Sequence, residues 1–223
     1  MVEAPVRCKR CGDSGIIVRN GYNIACSCQK TDLREIYRKY SGLPKFTPFP
    51  LVPVARDYVD NFDVINASGR NWIGFFGKTG SGKSTQAFSI VNALLEREPP
   101  VRCRCYWFPD VIHELSTRRY DTDEYEEKLE QILGAELVLI DDYLDVIPRP
   151  ESFEEQVALT LIKRRYAQRK PLVFTTEITS KNLMARMKNH AEAIIGRIVE
   201  MCDGRYSIAG DNAINYRLVR NEH

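Results

Sequence analysis

The sequence predicts an α/β domain built on a parallel sheet with helices on both faces. Short apolar runs alternate with longer helical stretches from about Ala55 onward, the pattern of strand–helix–strand units. A glycine-rich turn joins one such run directly to a helix. The composition, 43% hydrophobic and 28% charged over 223 residues, is that of a soluble globular chain long enough to bury a real core.

The elements follow in order. Residues 1–29 are rich in Cys and Gly and form a small appendage. Lys30 to Tyr40 (KTDLREIYRKY) reads as a short helix, and SGLPKFTPFPLVP reads as a linker punctuated by prolines, the connector spanning residues 30–54 as a whole. The main domain, 55–223, carries strand-like runs at Trp72–Phe76, Val101–Phe108, Leu137–Asp141, Leu172–Thr176 and Arg205–Ala209. Helical stretches separate them at Lys83–Glu96, Asp110–Leu133 (with a break), Phe153–Gln168 and Ser180–Met201.

No apolar run reaches membrane-spanning length, and Met1 is followed by polar, Cys-containing sequence rather than a leader, so a cytoplasmic protein without membrane association is expected. Seven cysteines in a reducing compartment point to thiols or metal ligands rather than disulfides. Net charge is only +2, but it is unevenly spread. Asp110–Glu155 holds 15 acidic residues against 4 basic, and Leu161–His190 holds 8 basic against Glu177 alone. Opposite signs on two faces would suit subunit docking or a nucleic acid; solvated helix faces are the plain alternative.

GKTGSGKS, Gly77 to Ser84, satisfies G-x-x-x-x-G-K-[ST] between a strand and a helix. Gly77, Gly80 and Gly82 let the backbone curl, so that the N–H groups of Lys78, Thr79, Ser81 and Thr85 and the helix N-terminus surround phosphates. Lys83 is expected to reach the β- and γ-phosphates of ATP, and Ser84 to ligate Mg²⁺. ELVLIDDY supplies Asp141 for the magnesium, and its Asp142 resembles the carboxylate that additional-strand P-loop ATPases keep there to orient the attacking water; a strand end with two solvated acids is the alternative.

The segment CKRCGDSGIIVRNGYNIACSCQK brackets a hairpin-like stretch with Cys8, Cys11, Cys26 and Cys28, four thiolates that can enclose one Zn²⁺. Free thiols, or a redox pair at Cys8 and Cys11, are the alternatives. Cys103, Cys105 and Cys202 read as core packing. Two basic, aromatic groups are candidates for nucleic acid: Lys163, Arg164, Arg165, Tyr166, Arg169 and Lys170 at one helix end, and Arg34, Tyr37, Arg38, Lys39 and Tyr40 in the connector helix. Solvated or interfacial charge is an equal reading of both.

The C-terminal segment AEAIIGRIVEMCDGRYSIAGDNAINYRL, with IDD and RRYAQRKPLVFTTE, resembles the DnaC, DnaI and IstB group of AAA+ ATPases from about Leu43 onward. That resemblance places Arg197 of GRI as an arginine finger acting across a subunit boundary. It places Arg217 of NYR as sensor 2, across an insertion of roughly three residues between Gly210 and Asn215. At sensor 1 the group usually has Asn, whereas this chain has Glu177 after Thr175 and Thr176; the sensor role falls to Thr176. The resemblance implies an oligomeric ATPase, self-associating or joined to related subunits. It would assemble on single-stranded DNA and deliver a replicative ring helicase through its N-terminal part, similar four-cysteine segments preceding loader-like ATPases. An IstB-like transposition regulator, a P-loop small-molecule kinase and an adaptor that binds ATP without turnover remain as alternatives.

Overall fold

The computed structural model describes residues 16–19, 22–25, 33–178, 180–187 and 190–208. Near the N-terminus β1 (Ile16–Arg19) and β2 (Tyr22–Ala25) form an antiparallel hairpin whose backbone register pairs Ile17 with Ile24 and Ile16 with Ala25. The connector helix α1 (Leu33–Tyr40) follows, then α2 (Pro53–Asp60) and α3 (Phe62–Ala67). The main domain continues as β3 (Trp72–Phe76), α4 (Lys83–Glu96), β4 (Cys103–Trp107), α5 (Phe108–Ser116), α6 (Thr122–Leu133), β5 (Leu137–Asp141), α7 (Phe153–Ala167), β6 (Leu172–Thr176), α8 (Ser180–Met187), α9 (Ala191–Cys202) and β7 (Tyr206–Ile208).

The last five strands form one parallel sheet in the order β4-β5-β6-β3-β7. Alternation along each strand sends neighbours to opposite faces, as the pleat requires. Trp72, Val138, Ile140, Leu172 and Phe174 enter the core under α5 to α9, whereas Ile73, Phe75, Leu137, Leu139 and Val173 enter the core under α2, α3 and α4. Because the chain leaves β3 through α4 for the far edge and β6 returns beside β3, the strand order reverses there. The carboxyl ends of β3, β5 and β6 therefore open onto a single crevice, where such sheets place ligands.

The expected strand cores agree with this sheet, and α5 and α6 realise the expected break. Two departures are instructive. The stretch anticipated as one helix from Ser180 to Met201 is two, with Met187 and Ala191 both buried in the same core. Helices α2 and α3 fall in and just after what reads as linker. Pro53 lies at the start of α2, where a missing N–H is harmless, and Ala55, Tyr58, Phe62 and Ile65 bury one continuous stripe across both helices.

The connector is strapped to the domain. Phe49 N–H donates to Ser89 Oγ at 3.1 Å and Val52 N–H to Gln86 Oε1 at 2.9 Å, while Gln86 Nε2 donates to the Pro50 carbonyl at 2.9 Å. Both anchors lie on α4, the helix that begins at the glycine turn. The edge strand β4 is covered by the same segment, since Cys105 N–H donates to the Ser41 carbonyl at 2.6 Å. Gly42 is required there: its φ is +70°, and a Cβ would stand 2.6 Å from the Cys105 carbonyl oxygen. Among the described residues no helix is long and apolar enough to cross a membrane.

Candidate nucleotide site

The turn between β3 and α4 is a concave run of backbone. Gly77, Gly80 and Gly82 have φ of 146°, 81° and 88°, conformations that side chains oppose, so each N–H can turn inward. Gly77 N–H is held by the Thr176 carbonyl at 3.2 Å, which fixes the loop to the end of β6. Lys83 opens α4 and is 6% exposed, and its ammonium donates to the Lys78 carbonyl at 3.0 Å across the mouth of the loop. Ser81 Oγ is buried with no hydrogen-bond partner among the described residues. A buried cation, an unsatisfied hydroxyl and a helix N-terminus in one concavity are complementary to phosphate oxygens.

Beside the loop stands a corner of four carboxylates. Asp141 ends β5; its Oδ1 accepts from Thr175 Oγ1 at 2.6 Å, and the nearby Ser84 hydroxyl also favours its ionised form. The two groups expected to hold Mg²⁺ are thus near neighbours. Burial pushes the Asp141 carboxyl above its ordinary range, against the pull of the Thr175 and Ser84 hydroxyls. A divalent ion would supply the missing positive charge, so the donor set fits the metal.

Asp142 adopts φ +53°, turning its side chain out of strand direction. Its N–H donates to Thr175 Oγ1 at 2.9 Å, and its Oδ2 accepts from the indole N–H of Trp107 at 2.9 Å. Thr175 therefore ties both aspartates to β6. Asp145 accepts from Thr176 Oγ1 at 2.8 Å and from Glu177 N–H at 2.9 Å, and burial raises its carboxyl as well. The fourth carboxylate, Glu177, accepts from the Thr79 hydroxyl and lies 3.6 Å from the Lys83 ammonium.

Residues Gly77 to Thr85, Asp141, Asp142 and Thr176 are thus gathered at one edge of the sheet. The Thr176 hydroxyl is committed to Asp145, while Thr175 makes the contacts to Asp141 and Asp142. Sequence reasoning missed Thr175 as a bridge and missed Trp107 and Asp145 altogether. The parallel register sets Trp107 beside Asp141, so pairing the ends of β4 and β5 would have found it.

Arg197 lies on α9, where its Nη1 donates to the Ala193 carbonyl at 2.7 Å and its guanidinium rests 5.3 Å from the centre of the Tyr166 ring. Arg169 covers the same ring at 4.6 Å, and Tyr166 donates to Glu200 at 2.7 Å. Arg217 and the cysteines Cys8, Cys11, Cys26 and Cys28 lie outside the described residues. Cys103, Cys105 and Cys202 are buried, free thiols.

The basic groups are changed by their partners. Arg165, a candidate for nucleic acid in the sequence, is fully buried and donates to the carbonyls of Leu133, Ala135, Glu136 and Pro171, stapling α7 to the starts of β5 and β6. Burial pulls its guanidinium down to about 9. Arg164 pairs with Glu126 and Glu130 of α6, so the basic and acidic stretches meet within the chain. In the connector helix, Arg34 pairs with Glu98 and Arg38 with Glu96. Those two cations hold α1 against the end of α4.

No protein-family model matches the chain. Two relatives come from Bacillus subtilis strain 168. The uncharacterised protein YqaM is 28% identical over 169 residues, covering 74% of this chain and 51% of its own. The phage-like element PBSX protein XkdC is 24% identical over 241 residues, covering 95% and 86%. The chain thus spans about half the length of YqaM.

Among solved structures, the DnaC helicase loader superposes with TM-score 0.58 at 20% identity, over 78% of this chain and 98% of the other. DnaI gives 0.58 at 19%, over 82% and 93%. The replication initiator DnaA bound to AMPPCP and single-stranded DNA gives 0.55 at 14%, over 76% and 48%. These likenesses show the fold: a parallel-sheet α/β domain like that of the DnaC helicase loader and DnaI.

Proposed function

We propose that the chain is an ATPase of the helicase-loader type, which binds ATP with Mg²⁺, assembles on single-stranded DNA and delivers a replicative ring helicase. The observation that carries the reading is the glycine-rich loop set against the Asp141–Asp142 corner, in a domain that superposes on the DnaC helicase loader and DnaI.

The chain's own groups have distinct tasks. Backbone N–H groups of Lys78 to Thr85 and the ammonium of Lys83 bind phosphate oxygens. Ser84 and Asp141 hold Mg²⁺, which neutralises phosphate charge when bound. Asp142, turned outward by its positive φ and steadied by Trp107 and Thr175, accepts the proton of the attacking water or orients it. Arg197 of a neighbouring subunit supplies charge to the terminal phosphate, which ties turnover to assembly. Its present contacts, to its own helix and to an aromatic ring, leave it unpaired with any carboxylate among those described. Arg217 is assigned to sensor 2 and Thr176 to sensor 1.

Zinc is assigned to Cys8, Cys11, Cys26 and Cys28. The hairpin supports this, because its Ile16–Ala25 pairing brings together the two ends of chain that lead to Cys11 and Cys26. The N-terminal part and connector would contact the helicase, and the straps from the connector to Gln86 and Ser89 link that part mechanically to the nucleotide helix.

The test is helicase delivery. Purified chain with ATP should increase loading of a replicative ring helicase onto circular single-stranded DNA, and the Lys83→Ala chain should not. Equal loading with and without the chain, or transfer of phosphate to a small molecule in its place, rejects the loader reading.

A further inference from the structure

The contact between Glu177 and Lys83 has no part in binding ATP as described above. Glu177 is the first residue after β6, and its carboxylate reaches across to the phosphate loop. There it accepts from the Thr79 hydroxyl and stands 3.6 Å from the Lys83 ammonium. Its backbone is pinned, since its N–H donates to both oxygens of Asp145 at 2.9 and 3.2 Å. The preceding residue is anchored to the same Asp145 carboxylate through Thr176 Oγ1. The backbone anchor and the Thr79 hydroxyl together hold the carboxylate beside Lys83.

The electrostatics make this placement informative. Asp141, Asp142 and Asp145 already crowd this edge of the sheet, and burial and mutual repulsion raise the carboxyls of Asp141 and Asp145. A fourth carboxylate is unfavourable there unless a cation compensates it. Lys83, 6% exposed at the head of α4, is that cation. A ligand phosphate must therefore compete with an anion that the protein itself supplies.

We propose that Glu177 is an internal counter-anion of Lys83 that sets the site's preference between nucleoside di- and triphosphate. The inference rests on the reading of the loop as a nucleotide site. A diphosphate brings less charge, and Glu177 can keep its place on the outer side of Lys83. A triphosphate brings a further phosphate that must take over the Lys83 charge and face Glu177 at short range. Two unit charges a few ångströms apart at a surface interact strongly enough to change affinity by about tenfold or more. Glu177 therefore weakens triphosphate binding more than diphosphate binding. The Thr79 hydroxyl, which holds the carboxylate in place, shares in the effect.

The experiment is titration of Mg²⁺-ATP and Mg²⁺-ADP into the full chain and into Glu177→Gln, which keeps the shape and removes the charge. The expected result is ATP affinity raised by about tenfold and ADP affinity changed by less than about threefold, with the gain shrinking at high salt. Thr79→Ala should shift the ratio in the same direction by less. An unchanged ATP-to-ADP ratio in Glu177→Gln, or weaker ATP binding, overturns the assignment while leaving the nucleotide site intact. If the folded wild-type chain binds neither nucleotide, the nucleotide reading itself fails.

Discussion

The phosphate loop and the carboxylate corner lie side by side at one edge of the sheet, yet they are built by different means. The loop is local. Nine consecutive residues make it, glycine conformations shape it, and a strand and a helix hold its two ends. The corner is assembled at long range. Asp141 and Asp142 meet Thr175 from 33 or 34 residues away, and Trp107 reaches Asp142 from 35 residues before it. A local device tolerates change in its surroundings but not within itself; an assembled one can be weakened at any of several distant points. Glu177 links the two, since it follows β6 and contacts the loop.

If that contrast is right, damage to the loop should remove binding outright. Lys83→Ala is expected to lower ATP affinity by at least 100-fold, because a buried cation and its phosphate contacts vanish together. Nucleotide titration decides it. Binding within tenfold of wild type would mean that the corner, not the loop, holds the nucleotide.

Damage to the corner should separate turnover from binding. Thr175→Val keeps the shape but leaves the Asp141 carboxylate and the Asp142 N–H without their shared partner. Destabilisation of about 1–3 kcal/mol is expected in denaturant unfolding, from buried polar groups left unsatisfied. Phosphate release should slow by about tenfold or more, with ATP affinity changed by less than about threefold.

Asp141→Asn sharpens the comparison with opposite signs in two assays. Burial raises this carboxyl, so the folded state disfavours the ionised form. For a carboxyl raised on folding, the penalty is absent below the ordinary range and sets in as the pH rises through it. At neutral pH and without metal, the neutral side chain should therefore raise the unfolding midpoint, while Mg²⁺-dependent ATP binding falls. A lower midpoint without metal would show that the carboxylate is satisfied by Thr175 and Ser84 alone.

The smallest effect belongs to Trp107→Phe. It removes one hydrogen bond to Asp142 from a side chain that is 50% exposed. A fall of a few-fold in turnover with unchanged binding is expected, since such a bond contributes about 1 kcal/mol.

The same contrast accounts for what the sequence made legible. β3, β5, β6 and α4 could be read from apolar runs and the glycine turn, because their burial on both faces removes polar interruptions. The loop's glycines and Lys83 could be read because their spacing is itself the device. The roles of Thr175, Asp145 and Trp107 were not legible, since each depends on which strand ends become neighbours. Arg165 reads as a surface cation beside Lys163 and Arg164, and only the packing of α7 on β5 and β6 turns it inward. The α2–α3 stripe was present as Ala55, Tyr58, Phe62 and Ile65, but Pro53 and its proline-rich approach masked it.

The central claim of the proposed function is that its ATP site is completed by a second subunit, and mixing two inactive chains tests it most directly. Arg197→Ala should bind ATP normally and hydrolyse it slowly; Asp142→Asn should do the same for a different reason. Mixed, they should turn over well above the average of the two alone, because some interfaces then pair an intact Arg197 with an intact Asp142. The wild-type rate per chain should also rise with protein concentration and with single-stranded DNA. A mixture no faster than the average of its parts, at a rate independent of concentration and DNA, would contradict the account.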